Sequence, residues 1–245
     1  MAIFDVHSYF GGALVPNTAN SGASIASTME ARGITSAIVM SAHARLVDPL
    51  SGNRVLAKVV EQSPALYGCV VTHVNRVEAS IAAMRELMQN RRFLGMCVTG
   101  MGDDEPVDKI VAEEVINAYR RYGKPLFLYA RNAAMTHAAL EIAKSYTMLK
   151  VVLLGMGGHD WRMAIAAAHS ATNIYLETSG PLDRAKIPAA FATIGAHRIL
   201  FGSGSPHVDA GAAMGLLEDT TLSEDVCRRI YHDNARRLFG IEEAA

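Results

Sequence analysis

The sequence is poor in cysteine, balanced in charge and free of long apolar runs. Cys69, Cys97 and Cys227 are odd in number and widely spaced, with no CxxC pair. That excludes a disulfide framework and a structural zinc site of the usual spacing, and leaves three reduced thiols. The 23 Lys and Arg are interspersed with 24 Asp and Glu, for a formal net charge of −1. Such a surface has no electrostatic footprint for nucleic acid or an anionic membrane, so a small-molecule partner is expected. No apolar run approaches the length that spans a bilayer, and the opening MAIFDVHSYF lacks the basic and apolar regions of a signal peptide. A cytoplasmic protein is expected. Linker-like and low-complexity stretches are also missing, which predicts one domain over residues 1–245.

What is present is a rhythm. Half of the residues are apolar, and short bursts recur at 2–7, 36–40, 66–73, 93–98, 125–130, 150–155, 173–178 and 197–202. Their starts are spaced by roughly 23 to 34 residues, the length of one strand, one helix and two loops. Continuous rather than alternating apolar runs suit parallel strands covered on both faces.

Helical patterns fill the gaps, at 77–90, 133–146 and 161–171. PVDKIVAEEVINAYRRYG places Pro106 for a first turn and Gly123 for a stop, and Thr221 with Glu224 has the spacing of a capping box opening the last helix. Trp161 and Met163 read as packing at the start of one helix. Eight alternating units predict an α/β fold, a single (β/α)8 TIM barrel; a doubly wound sheet is the alternative, but even spacing suits closure better.

In a barrel, active sites gather at the C-terminal strand ends. The polar residues closing or following the bursts include Asp5, His7, Tyr9, Ser41, His43, His73, Cys97, Thr99, Tyr129, Arg131, His159, Glu177, Ser179, Ser203, Ser205 and His207. Five of the nine histidines are among them. That is more than an even spread would place there, and favours polar chemistry at the mouth.

The segments IFDVHSYFGG, KPLFLYARN, VVLLGMGGHDWRMAIAAAHSATNIYLETSG, RILFGSGSPHVDAG and YHDNARRLFGI resemble the amidohydrolase superfamily, in its amidohydrolase-related (Amidohydro_2) branch. The resemblance spans almost the whole chain. It implies a barrel holding one divalent metal, usually zinc or manganese, that activates water or assists decarboxylation, with a dimer or other homo-oligomer expected. It also implies an HxH pair ending strand 1, a histidine on strand 5, a further histidine on strand 6 and an aspartate on strand 8. Here the matching positions hold His7 and Tyr9, Tyr129, Gly155 and Gly204. Only His7 agrees with the pattern, and one imidazole binds a divalent ion weakly, so no cofactor is expected.

The surviving residues then take candidate roles. His7, Glu177 and Tyr129 are the candidate catalytic set: Glu177 as substitute base, His7 as acid or base or as a hydrogen-bonded residue of the barrel interior, and Tyr129 as hydrogen-bond donor. Tyr9, His73, Arg131, His159, Ser203, Ser205 and His207 are candidate ligand-binding residues, with Arg131 suited to a carboxylate or phosphate. Cys97 reads as a small buried hydrophobe. The leading expectation is a metal-independent barrel that binds a small polar or carboxylated molecule and performs hydrolysis or decarboxylation. A second is a non-catalytic subunit beside an active paralogue, its mouth plugged by Tyr9 and Tyr129. A third is a hydrolase with a rebuilt zinc or manganese site made from His7, His73, Glu177 and His207.

Overall fold

A computed structural model of the protein describes residues 1–11, 20–100, 102 and 104–241. Gly12, the last residue of the first resembling segment, lies outside them. Eight strands alternate with helices: β1 Phe4–Phe10, β2 Ser36–Ser41, β3 Leu66–His73, β4 Phe93–Thr99, β5 Leu126–Tyr129, β6 Val151–Leu154, β7 Ile174–Glu177 and β8 Ile199–Leu200. They form one sheet in sequence order, and each paired neighbour is parallel. The sheet closes where β1 meets the chain leaving β8. Val6 N–H donates to Phe201 O at 3.0 Å, Gly204 N–H to His7 O at 2.8 Å and Tyr9 N–H to Ser205 O at 2.8 Å. The fold is a single (β/α)8 barrel.

Alternation along each strand divides the core into two layers. Phe4, Val6, Ile38, Met40, Cys69, Val71, Phe127, Val152 and Leu200 fill the barrel interior. Ala37, Val39, Val70, Met96, Val98, Leu126, Leu128, Val151 and Leu153 face the helices. Cys97 belongs to the inner layer, as its small apolar character predicts. Among the described residues, no helix is long and apolar enough to cross a membrane.

Several boundaries differ from the sequence reading. β1 runs three residues beyond His7, so His7 and Tyr9 lie within the strand, two residues apart and on its inner face. β8 is short because Ala196–Arg198 forms a 3₁₀ turn. The helix Lys109–Tyr119 begins after Pro106: its cap is Asp108, whose carboxylate accepts from Ile110 N–H at 2.7 Å. The later helix Glu224–Arg228 is capped by Ser223 rather than opened by Thr221. Both corrections have one cause, because the cap is whichever short side chain can reach a free first-turn amide. Gly123 does adopt the left-handed conformation (φ 64°) that ends its turn.

One buried cation fastens the lower barrel. Arg198 Nη1 donates to the carbonyls of Ala168 at 2.6 Å, Ala171 at 3.3 Å and Ile174 at 3.1 Å, tying the end of the helix Trp161–Ser170 and the start of β7 to β8. Arg198→Met keeps the apolar stem but strands those acceptors. It is expected to lower the stability of the barrel by about 2 kcal/mol, read as a lower urea midpoint at unchanged slope.

Candidate functional site

A cavity of about 290 Å³ opens at the C-terminal end of the barrel. His7, Tyr9, Tyr129, Arg131, His159 and His207 contribute its polar groups, and Leu154, Pro181, Val208 and several glycines give it a mainly apolar wall. The size and the mixture of an apolar wall with few polar groups are those of a small-ligand pocket.

The centre of the site is a buried hydrogen-bond chain. Glu177, at the end of β7 and wholly buried, receives Ser179 N–H on Oε1 at 2.6 Å. Its Oε2 receives Ser179 Oγ–H at 2.7 Å, Gly155 N–H at 3.1 Å and His7 Nδ1 at 3.0 Å. Gly202 makes this approach possible, because a β-carbon there would overlap the Glu177 carboxylate. His7 Nε2 lies 2.7 Å from the Tyr9 hydroxyl, which lies 2.9 Å from that of Tyr129. Burial alone would push the His7 pKa down, but the Tyr9 hydroxyl and the Glu177 carboxylate outweigh it and raise the pKa well above the ordinary imidazole value. Burial likewise opposes ionisation of Glu177, yet His7, Ser179 and the Gly155 amide hold its pKa below the usual range. The resting pair is an imidazolium and a carboxylate. Tyr129 is pushed far above the ordinary phenol value by burial, with Tyr9 and Cys97 adding to the effect, so it stays neutral.

Cations frame this chain. The Tyr129 ring has the Arg45 guanidinium carbon 4.5 Å from its centroid and that of Arg131 at 4.6 Å. Arg131 Nη1 lies 3.9 Å from an Asp104 oxygen, while its Nη2 is buried with no hydrogen-bond partner among the described residues. The Tyr9 ring meets His207 edge-on at 4.9 Å.

The expected site residues therefore separate into groups. His7, Tyr9, Tyr129, Arg131, His159 and His207 share the cavity. Glu177 stands behind His7 and does not line it: its carboxylate meets the imidazole rather than the cavity. His73 opens on a separate space of about 100 Å³ beside Arg45, Thr99 and the other side of Tyr129. Ser203 is buried at the barrel seam, where its hydroxyl donates to Asp5 Oδ2 at 2.6 Å. Ser205 receives Tyr9 N–H there through its carbonyl. Sequence reasoning noted Ser179 at a strand end without giving it a role. It missed Arg45, a buried arginine in a five-residue helix with no pattern to mark it, and Lys186, whose buried ammonium donates to Ser179 O at 2.8 Å.

The amidohydrolase family model, Amidohydro_2, matches residues 8–241. The chain belongs to this family. No curated protein matches this amidohydrolase relative, but solved structures share its fold. A dihydroxybenzoic acid decarboxylase from Polaromonas sp. JS666, with bound manganese and the inhibitor 2-nitroresorcinol, is 18% identical over 99% of this chain and 98% of that one, with a TM-score of 0.79. A 2,6-dihydroxybenzoate decarboxylase from Rhizobium is 17% identical, each chain covered to 98%, with a TM-score of 0.76. A 5-carboxyvanillate decarboxylase from Sphingomonas paucimobilis is 13% identical over 98% of this chain and 99% of that one, with a TM-score of 0.76. At these identities the likeness is one of fold.

Among the described residues, no group of three or more His, Cys, Asp or Glu side chains is arranged to hold a metal ion. The set His7, His73, Glu177 and His207, expected as a rebuilt ligand sphere, does not converge, because His73 lies in the separate space beside Arg45.

The raised pKa of His7 has a defined sign. A proton held more tightly in the folded state contributes stability that is fully present below pH 6.5 and is lost as the pH rises through about 10. His7 is expected to remain an imidazolium at pH 8 in ¹⁵N NMR spectra, where an ordinary histidine is neutral. Glu177→Gln should return it toward neutrality at that pH.

Proposed function

We propose that this amidohydrolase-family barrel binds a small aromatic carboxylate at its strand-end mouth and acts on it by acid–base chemistry without a metal, as a decarboxylase or hydrolase. The observation that carries this reading is Arg131 Nη2, a buried donor with no hydrogen-bond partner among the described residues, on a residue that lines the cavity. An unmet guanidinium donor is costly to bury, and a carboxylate matches its geometry and charge. The rings of Tyr9 and Tyr129 and the apolar wall offer the complementary surface for an aromatic body. The neighbouring folds named above belong to enzymes of aromatic carboxylates, which supports the same choice.

The donor set does not fit a zinc or manganese centre. The one imidazole at the former ligand positions has both ring nitrogens engaged, Nδ1 by Glu177 and Ser179 and Nε2 by Tyr9. The remaining positions carry phenols and glycines. Gly204, at the place of the family's aspartate, is left-handed at φ 71°, a conformation that L side chains rarely adopt. In the metal's stead, the cavity's positive charge comes from Arg131 and the imidazolium. The reading as a silent subunit calls for a mouth plugged by Tyr9 and Tyr129. Their rings instead form one wall of an open cavity, which favours a working site.

Two measurements test this. Titration calorimetry with benzoate should show binding that weakens about tenfold or more in Arg131→Gln, the scale of one charge-assisted hydrogen bond. Equal affinity in the variant would remove the anchor from the proposal. Metal content by inductively coupled plasma mass spectrometry on untagged protein should lie far below one equivalent per chain, and a value near one would overturn the metal-free reading.

A further inference from the structure

We propose that Glu177, His7 and Tyr9 form a carboxylate–imidazole–phenol relay in which the Tyr9 hydroxyl is the group that exchanges a proton with the ligand. This rests on the cavity being the ligand site, and it assigns the reacting group within it. The direction of each hydrogen bond follows from proton counting. Glu177 accepts from two amides and from the Ser179 hydroxyl, as an ionised carboxylate does. Ser179 has one hydroxyl proton and gives it to Glu177 Oε2, so toward His7 Nδ1, 3.1 Å away, it can only accept. Both neighbours of Nδ1 are acceptors, and Nδ1 therefore carries a hydrogen. The tautomer is fixed, and Nε2 is committed to Tyr9.

Across the 2.7 Å contact between Nε2 and the Tyr9 oxygen, two states exist that differ by one proton. In one, a neutral ring accepts the phenol proton. In the other, the imidazolium donates to the phenol oxygen and the Tyr9 proton is turned outward, to Tyr129 or to a ligand. This is the arrangement of a nucleophile, a base and an orienting acid, with a phenol in the first place. Tyr9 faces the cavity and Glu177 does not, so Tyr9 is the catalytic residue and Glu177 the positioning one.

The decarboxylation step balances on these atoms. The bond from ring carbon to carboxylate breaks and its electron pair stays on the ring carbon. That carbon takes the Tyr9 proton as CO₂ leaves, the Tyr9 oxygen takes the Nε2 proton, and the neutral His7 keeps its Nδ1 hydrogen on Glu177. Solvent then returns one proton to the relay. Run in reverse, the relay withdraws the phenol proton and makes Tyr9 a nucleophile.

The reverse direction gives a test that needs no known substrate. A sulfonyl fluoride should sulfonylate Tyr9: the O–S bond forms, the S–F bond breaks, fluoride leaves and the phenol proton passes to Nε2. Two probes are compared by peptide mass spectrometry, 4-(fluorosulfonyl)benzoate and methanesulfonyl fluoride, the second needing no anion anchor. In the wild type both should label Tyr9 at a rate that climbs with pH as Nε2 becomes free to accept. In Glu177→Gln, whose amide no longer dictates the tautomer, the rate should fall about tenfold or more and its pH dependence flatten. Glu177→Asp gives the same comparison if the glutamine variant does not fold. Labelling of Tyr9 at equal rates in wild type and variant would overturn the relay, as would a Tyr9 that neither probe modifies. Loss of benzoate binding in the wild type strikes only the carboxylate reading, because the methanesulfonyl fluoride arm still judges Tyr9.

Discussion

The seam between β1 and the chain leaving β8 is the constraint on which the site depends. Without it the eight strands are an open sheet with two unpaired edges. Asp5 sits on this seam with its carboxylate accepting from His7 N–H at 3.0 Å, Ser203 N–H at 2.9 Å and Ser203 Oγ–H at 2.6 Å. Burial raises its pKa to about 6, against the pull of these donors. The same register that closes the barrel turns His7 and Tyr9 inward side by side. Closure and the relay are thus one geometric decision, made where Gly204 N–H meets His7 O.

A second constraint is electrostatic. Glu177 is wholly buried and His7 is nearly so, and a buried ion pair gains little unless every remaining lone pair and proton is met. Here the carboxylate has four donors and the imidazole has a partner on each nitrogen. A fully satisfied network in a low-dielectric interior is rigid, and rigidity is what a proton relay requires of its heavy atoms. Lys186 extends the support by one step, since it holds the carbonyl of Ser179, whose amide and hydroxyl hold Glu177.

The barrel was legible because burial on both sheet faces writes each strand as a continuous apolar run, and because βα units repeat at near-constant length. Helix starts were less so. Asp108 and Ser223 act as caps through the reach of one side chain, and the competing signals at Pro106 and Thr221 have the same composition. At the site, residue type and strand-end position identified His7, Tyr9, Tyr129 and Arg131 as mouth residues. Depth was not legible. Whether Glu177 faces a ligand or an imidazole depends on the space left by Gly202 and on where the Gly155 amide points, and neither follows from spacing. His73 shows the same limit, because it lines a separate space that shares only Tyr129 with the main cavity.

The metal-free reading also bears on how such a site is kept. A metal centre that has merely decayed leaves polar groups facing one another at random, and each buried unsatisfied group costs about 1–3 kcal/mol. At the positions to which the family resemblance assigns metal ligands, the opposite holds. Tyr9 engages the imidazole Nε2, Tyr129 engages Tyr9, and Gly204 gives its amide to the carbonyl of His7. Histidine in place of Tyr9 or Tyr129 would lose a hydroxyl hydrogen bond, whereas Gly204 is held through its backbone amide, which an added side chain leaves in place. Interdependence of this kind makes substitutions at these positions strongly non-additive. It gives the phenols a role as connected parts of a hydrogen-bonded cavity wall, with the buried Nη2 of Arg131 as the donor that lacks an acceptor among the described residues.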